Sequence, residues 1–164
     1  MTIIVSARRP LCRRIAPLRL AALGPDEFEG YASLFGVADG SGDIVMRGAF
    51  AASLRHRPPA AVRMLYQHSA NEPIGVWDAI AEDARGLYVR GKLSLGVQRA
   101  REVRALFGDG ALNGLSIGFR TVRASRSGPH RLLREIELWE ISVVTFPLLA
   151  GSSVTAVGCE ARCT

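Results

Sequence analysis

The 164-residue sequence predicts a mainly β fold with a few helices (α+β), and three observations carry that prediction. Short runs that alternate apolar with polar or small residues recur along the chain. Clusters of Gly, Asp, Ser and Pro punctuate them at regular intervals, and only one stretch shows clear helical periodicity. A small β-barrel or sandwich with helical decoration fits such a pattern. A length near 150 implies a single domain, and 48% hydrophobic content is enough for one core.

Taken in order, residues 1–24 are rich in Arg, Ala, Leu and Pro, end at Gly24-Pro25, and read as a basic flexible extension. The domain is expected over residues 25–157, followed by a tail at 158–164. Phe28 to Phe35 alternates as a strand, Asp39-Gly40-Ser41-Gly42-Asp43 is a turn cluster, and Ile44-Val45-Met46 follows it. Gly48 to Arg55 predicts two helical turns that stop before Pro58-Pro59. Ala61 to Gln67 is an apolar run ending at His68, where residues 68–73 read as a polar loop closed by proline. Gly75–Glu82 and Gly86–Leu93, joined by Asp83-Ala84-Arg85, predict a hairpin.

From Val97 to Phe107 the apolar residues Val97, Ala100, Val103, Leu106 and Phe107 fall at helical spacing, and Gly108-Asp109-Gly110 ends the run. This face is expected to pack in the core or at a dimer contact. Gly114 to Val122 alternates as a strand, a turn surrounds residues 125–130, and Arg131 to Thr145 returns as a bent or bulged central strand closed by Pro147.

Charge and cysteine usage narrow the function classes. Of the formal net charge of +6, Arg8, Arg9, Arg13, Arg14 and Arg19 supply +5 within the first 20 residues, which hold no acid. A basic arm on a nearly neutral domain argues against a fold that reads a nucleic-acid groove, and any nucleic-acid contact is expected to be weak and confined to the arm. Cys12, Cys159 and Cys163 lie in the tails, with neither metal-ligand spacing nor a disulfide framework, so no metal or cofactor is expected and a reducing compartment is. The apolar start is too short for a secretory signal, and no run approaches a membrane span.

Gly114-Leu115-Ser116-Ile117-Gly118 sets a serine between two glycines, with His68 upstream and Glu140 downstream. A serine hydroxyl becomes a nucleophile when an imidazole takes its proton and an acid holds the imidazole in the right tautomer. The same spelling marks the nucleophile elbow of α/β-hydrolases, but that family runs serine, acid, histidine. Here the only later histidine is His130, and residues 117–129 contain no Asp or Glu. A triad in this chain therefore runs histidine, serine, acid.

Bland readings stand beside each residue. Ser116 also fits as a small residue in a tightly packed strand, and His68 as a surface histidine at a strand end. Glu140 also fits as a structural salt bridge or an exposed strand charge. It differs in strand parity from Glu135 and Glu137 unless a bulge intervenes. Asp43 is the other candidate acid, with a turn-rich neighbourhood that explains it equally well.

Five segments then carry a resemblance: Glu29 to Phe35, Gly48-Ala49-Phe50, Gln67-His68 with Pro73-Ile74-Gly75, Gly110 to Phe119, and Leu138 to Pro147. Their sequence and order, over roughly residues 27–157, resemble the prohead maturation proteases of HK97-type tailed phages and related gene transfer agents. The resemblance implies a small β-barrel wrapped by helices, similar to herpesvirus assemblin. It implies a serine endopeptidase that enters the procapsid in the bacterial host cytoplasm, cleaves the scaffold segment of the major capsid protein, and then destroys itself or is released. Ser116 would be the nucleophile, His68 the general base and Glu140 the third member, with a homodimer as in assemblin relatives. A non-catalytic assembly or scaffold-binding module of the same fold is the alternative. Leu148-Leu149-Ala150-Gly151 departs from the small, polar Ala-Asn-Pro stretch common in that family, so no oxyanion residue is assigned.

Overall fold

The computed structural model describes residues 22–159. In chain order it contains β1 (Glu27–Leu34), β2 (Asp43–Val45), α1 (Ala51–His56), β3 (Arg63–Tyr66), β4 (Ser69–Glu82), β5 (Gly86–Leu93), α2 (Gln98–Gly108), β6 (Gly114–Ser127), β7 (His130–Val144) and β8 (Ser153–Val157). The basic extension expected over 1–24 lies outside the described residues except for its last few positions.

The strands form one sheet in the order β2-β7-β3-β4-β5-β1-β8-β6, and β6 pairs back onto β7. Seven strands thus close a ring, while β2 adds beside the N-terminal part of β7, where Ile44 pairs with Leu132. β3 occupies the same edge of β7 further along, with Arg63 opposite Glu140 and Leu65 opposite Ser142. The ring closes narrowly at the β6–β8 seam, through the pair Gly114–Ser153. Closure of this kind removes the exposed edges that make open sheets prone to aggregate.

Alternation along the strands fills the interior. β1 buries Phe28, Ala32 and Ser33, and β5 buries Leu87, Val89 and Leu93. Trp77 packs edge-on against Phe28 with centroids 5.5 Å apart, and Phe28 meets Phe107 of α2 at 5.1 Å. Ala100, Val103 and Phe107 of α2 are buried, so the helical face packs in the core. α1 is fastened at both sides: the Phe50 amide donates to Glu82 at 2.8 Å, and the Ser53 hydroxyl accepts the Leu138 amide at 3.0 Å.

Three regions differ from the sequence-based expectation. Residues 69–73 are the start of β4 and not a loop, because the β3–β4 hairpin turns through Gln67 and His68 alone, with Tyr66 paired to Ser69. Both turn residues have positive φ, 51° and 60°, as two-residue hairpin turns of right-handed twist require. β6 runs to Ser127, beyond the expected Val122, and the polar C-terminal segment contributes a strand, β8.

β7 is bulged, as its composition suggested. Gly118 pairs with Glu140 but Phe119 pairs with Leu138, leaving Trp139 as an extra residue on β7. A single extra residue moves everything after it to the opposite face. Glu140 and Ser142 therefore share the outer face with Glu137, while Leu138, Ile141 and Val143 point inward and are fully buried.

Candidate active site

Three adjacent strand systems bring the sequence-predicted residues to one face. His68 stands in the β3–β4 turn, Glu140 on β7 beside β3, and Ser116 on β6 along the other edge of β7. Ser116 is directly opposite Ser142, and residues opposite one another in an antiparallel pair present their side chains on the same face. Ser116 and Glu140 therefore share a face.

His68 and Glu140 are in contact: His68 Nδ1 lies 2.7 Å from Glu140 Oε1. The carboxylate is largely enclosed, with its side chain 14% exposed, whereas the imidazole is 46% exposed. A carboxylate shielded from water needs hydrogen bonds to remain charged, and Glu140 has a second one. Ser142 Oγ donates to Glu140 Oε2 at 2.6 Å and accepts the His68 amide at 3.1 Å. Among the described residues no hydrogen bond joins Ser116 to His68.

The turn that carries His68 is tied to the end of β7. The Gln67 amide donates to the Val143 carbonyl at 3.0 Å, and the Gln67 side-chain amide donates to Thr145 Oγ1 at 2.7 Å. A left-handed backbone at a residue with a side chain costs free energy and persists only where its surroundings hold it. Here β7 supplies the hold through Val143 and Ser142, and Thr145 just after it adds to that hold.

The glycines of the serine motif have separate local reasons. A Cβ at Gly118 would come within 2.1 Å of Glu140 Oε1, so the bare backbone leaves room for the carboxylate. A Cβ at Gly114 would approach the Val144 carbonyl oxygen to 2.4 Å, so this position serves close strand packing at the seam. No helix follows Ser116, which continues along β6.

The remaining acids have other partners. Asp43, the other candidate, is engaged by Arg131 on β7, with Arg131 Nε 2.7 Å from Asp43 Oδ1. Glu135 faces Arg123, and Glu137 lies between Arg57 at 3.2 Å and Arg120 at 2.7 Å. Ser142, Gln67 and Thr145 were not singled out by the sequence. The available signal for Ser142 was a lone hydroxyl inside the most apolar run, two residues after Glu140 and so on its face.

Ser116 also borders an apolar depression lined by Ala32, Val37, Val45, Leu115, Leu148 and Leu149. The segment after β7 that shapes this border is fastened by the Gly40 amide to the Leu148 carbonyl at 2.9 Å. No helix of the described residues is long and apolar enough to cross a membrane.

Comparison with known proteins agrees with this architecture. The solved capsid assembly protease of bacteriophage T4 superposes with a TM-score of 0.58 at 10% identity, over 72% of this chain and 80% of that one. KSHV protease, solved with a hexapeptide phosphonate inhibitor, gives 0.50 at 11% identity, over 78% of this chain and 63% of that one. Both likenesses establish the assemblin-like barrel. In sequence, the prohead protease of Enterobacteria phage HK97 is 39% identical over 134 residues, covering 79% of this chain and 59% of that protein. The chain thus spans less than two thirds of that relative's length. The Caudovirus prohead serine protease family matches residues 18–162, nearly the whole chain, and the chain belongs to that family.

Proposed function

We propose that the chain is a serine endopeptidase of procapsid maturation, acting on the scaffold segment of the major capsid protein inside the procapsid, in the host cytoplasm. The observation that carries this reading is the His68–Glu140 contact at 2.7 Å on the sheet face that Ser116 shares. Membership of a prohead protease family supports the substrate class.

In the proposed mechanism Ser116 Oγ attacks the carbonyl carbon of the scissile peptide while its proton passes to His68 Nε2. The proton on His68 Nδ1 stays in its hydrogen bond to Glu140, which stabilises the imidazolium and fixes which nitrogen is free to act as base. His68 then delivers its Nε2 proton to the leaving amine, the C–N bond breaks, and an acyl ester remains on Ser116. Water attacks that ester with His68 again taking a proton, and the proton returns to Ser116 Oγ as the C–O bond breaks. The scheme needs no metal or organic cofactor. A second copy of the chain is proposed as partner and as substrate, through homodimerisation and self-cleavage.

Co-expression with the capsid protein tests the reading. Ser116→Ala and His68→Ala are each expected to abolish processing while folding is kept, and only the unsubstituted protein should be labelled by a fluorophosphonate at Ser116. Full processing by either variant overturns the assignment. An unlabelled but folded wild-type protein that still binds scaffold favours an assembly module without chemistry.

A further inference from the structure

We infer that Ser142 is a positioning residue of this site, setting the orientation of Glu140 and the main chain of His68 through a single hydroxyl. The inference rests on the triad reading above. A serine hydroxyl has one proton to donate and lone pairs to accept with. At Ser142 the proton goes to Glu140 Oε2 at 2.6 Å, and a lone pair receives the His68 amide at 3.1 Å.

Position 142 is fully buried although it lies on the outer face with Glu140, and Ile141 and Val143 on either side of it in β7 point to the opposite face. A hydroxyl placed there costs free energy unless both its roles are satisfied, and here both are satisfied by the same pair of residues. The terminal torsion of a glutamate is soft, so a carboxylate held at one oxygen swings easily. With Oε2 committed to the Ser142 proton, Oε1 is left facing His68 Nδ1. Nδ1 then carries the ring proton, and the Nε2 lone pair is the one left free for a hydroxyl. The hydrogen bond donated by the His68 amide at the same time restrains His68 at its φ of 60°, so the ring's attachment point is fixed as well as its partner.

The test is a mutant cycle on the full chain, read by fluorophosphonate labelling of Ser116 so that no natural substrate is required. Ser142→Ala is expected to lower the saturating labelling rate on the order of ten- to a hundredfold, a fraction of a general-base contribution, with the half-saturating probe concentration unchanged. Groups that act as a unit are non-additive. In the Glu140→Ala background, the same Ser142→Ala change is therefore expected to cost less than twofold.

Imidazole nitrogen shifts give a readout that packing alone would not move. The neutral ring should be protonated at Nδ1 in the wild type and populate both tautomers in Ser142→Ala. A penalty that persists in full without Glu140, or a Ser142→Ala rate within twofold of wild type, overturns the inference. Undiminished labelling in Glu140→Ala itself places the failure in the triad reading. Should the alanine variant not fold, Ser142→Cys, a weak donor of similar volume, is read in the same two backgrounds by the same criteria.

Discussion

Glu137 and Glu140 stand three residues apart on the outer face of one strand, and their surroundings differ in the kind of partner each has. Glu137 is 32% exposed and lies between two guanidinium groups, Arg57 and Arg120. Those partners are charged at every accessible pH, and the hydrogen bond from Arg120 holds the Glu137 carboxyl below its ordinary value of 4.5. Glu140 is less than half as exposed and is held by an imidazole and a hydroxyl. An arginine pair fixes a charge, whereas an imidazole has a second ring nitrogen that can take up and release a proton. A buried carboxylate is a candidate for chemistry only when its partner can itself carry a proton to and from a reacting group.

Substitutions at and around the two carboxylates are expected to differ widely in effect. Glu140→Gln keeps the shape of the side chain but removes the charge and leaves one acceptor oxygen where His68 and Ser142 use two, so a fall on the order of 10³-fold in Ser116 labelling or capsid processing is expected. An unchanged rate would return Glu140 to the same class as Glu137. Gly118→Ala is next. Its new methyl group meets the Glu140 side chain first, so the carboxylate must move while the barrel stands. Activity should drop by about ten- to a hundredfold with a thermal midpoint close to wild type. Gly114→Ala, which meets the Val144 carbonyl, should instead register chiefly as lost stability.

Glu137→Gln is expected to have the smallest effect, with labelling and processing within twofold of wild type. Its signature is in acid stability. Because the folded carboxyl is depressed, its contribution is fully present above the ordinary value of 4.5 and is lost as pH falls through the lower folded value. Denaturant midpoints of Glu137→Gln and wild type should therefore differ at pH 7, differ less in high salt, and converge below pH 4.5 as the wild-type carboxyl protonates. A difference that persists in strong acid would assign the effect to packing.

Alternation, turn residues and the single helical run made most of the barrel readable before any coordinates, because each is a local signal. The β4–β5 hairpin and α2 followed directly from it. The candidate site was legible as residue types in a required order: Ser116, His68 and Glu140 follow from it, and the fold sets His68 against Glu140 on the face that Ser116 shares. A bent or bulged β7 was expected but not the position of the bulge at Trp139, since an extra residue is defined by the opposite strand, and β6 is a separate strand. The loop expected at residues 68–73 failed for a related reason. Polar residues and a proline suggested a break, yet the β3 pairing continues past Pro73 through irregular register, and the turn itself is made by two residues without a glycine. Ser142 escaped notice because its two hydrogen bonds are to residues brought together only when the strands pair.

The two-residue turn at Gln67-His68 also separates what would be best for the fold from what the proposed chemistry requires. Asn-Gly is the pair that such a turn prefers, since it accepts a left-handed backbone at little cost. This chain places a glutamine and an imidazole there and secures them with the far end of β7. A consensus-guided or stability-driven redesign would choose position 68 for replacement early and gain robustness by doing so. The more durable protein obtained that way would lack the imidazole proposed as its base.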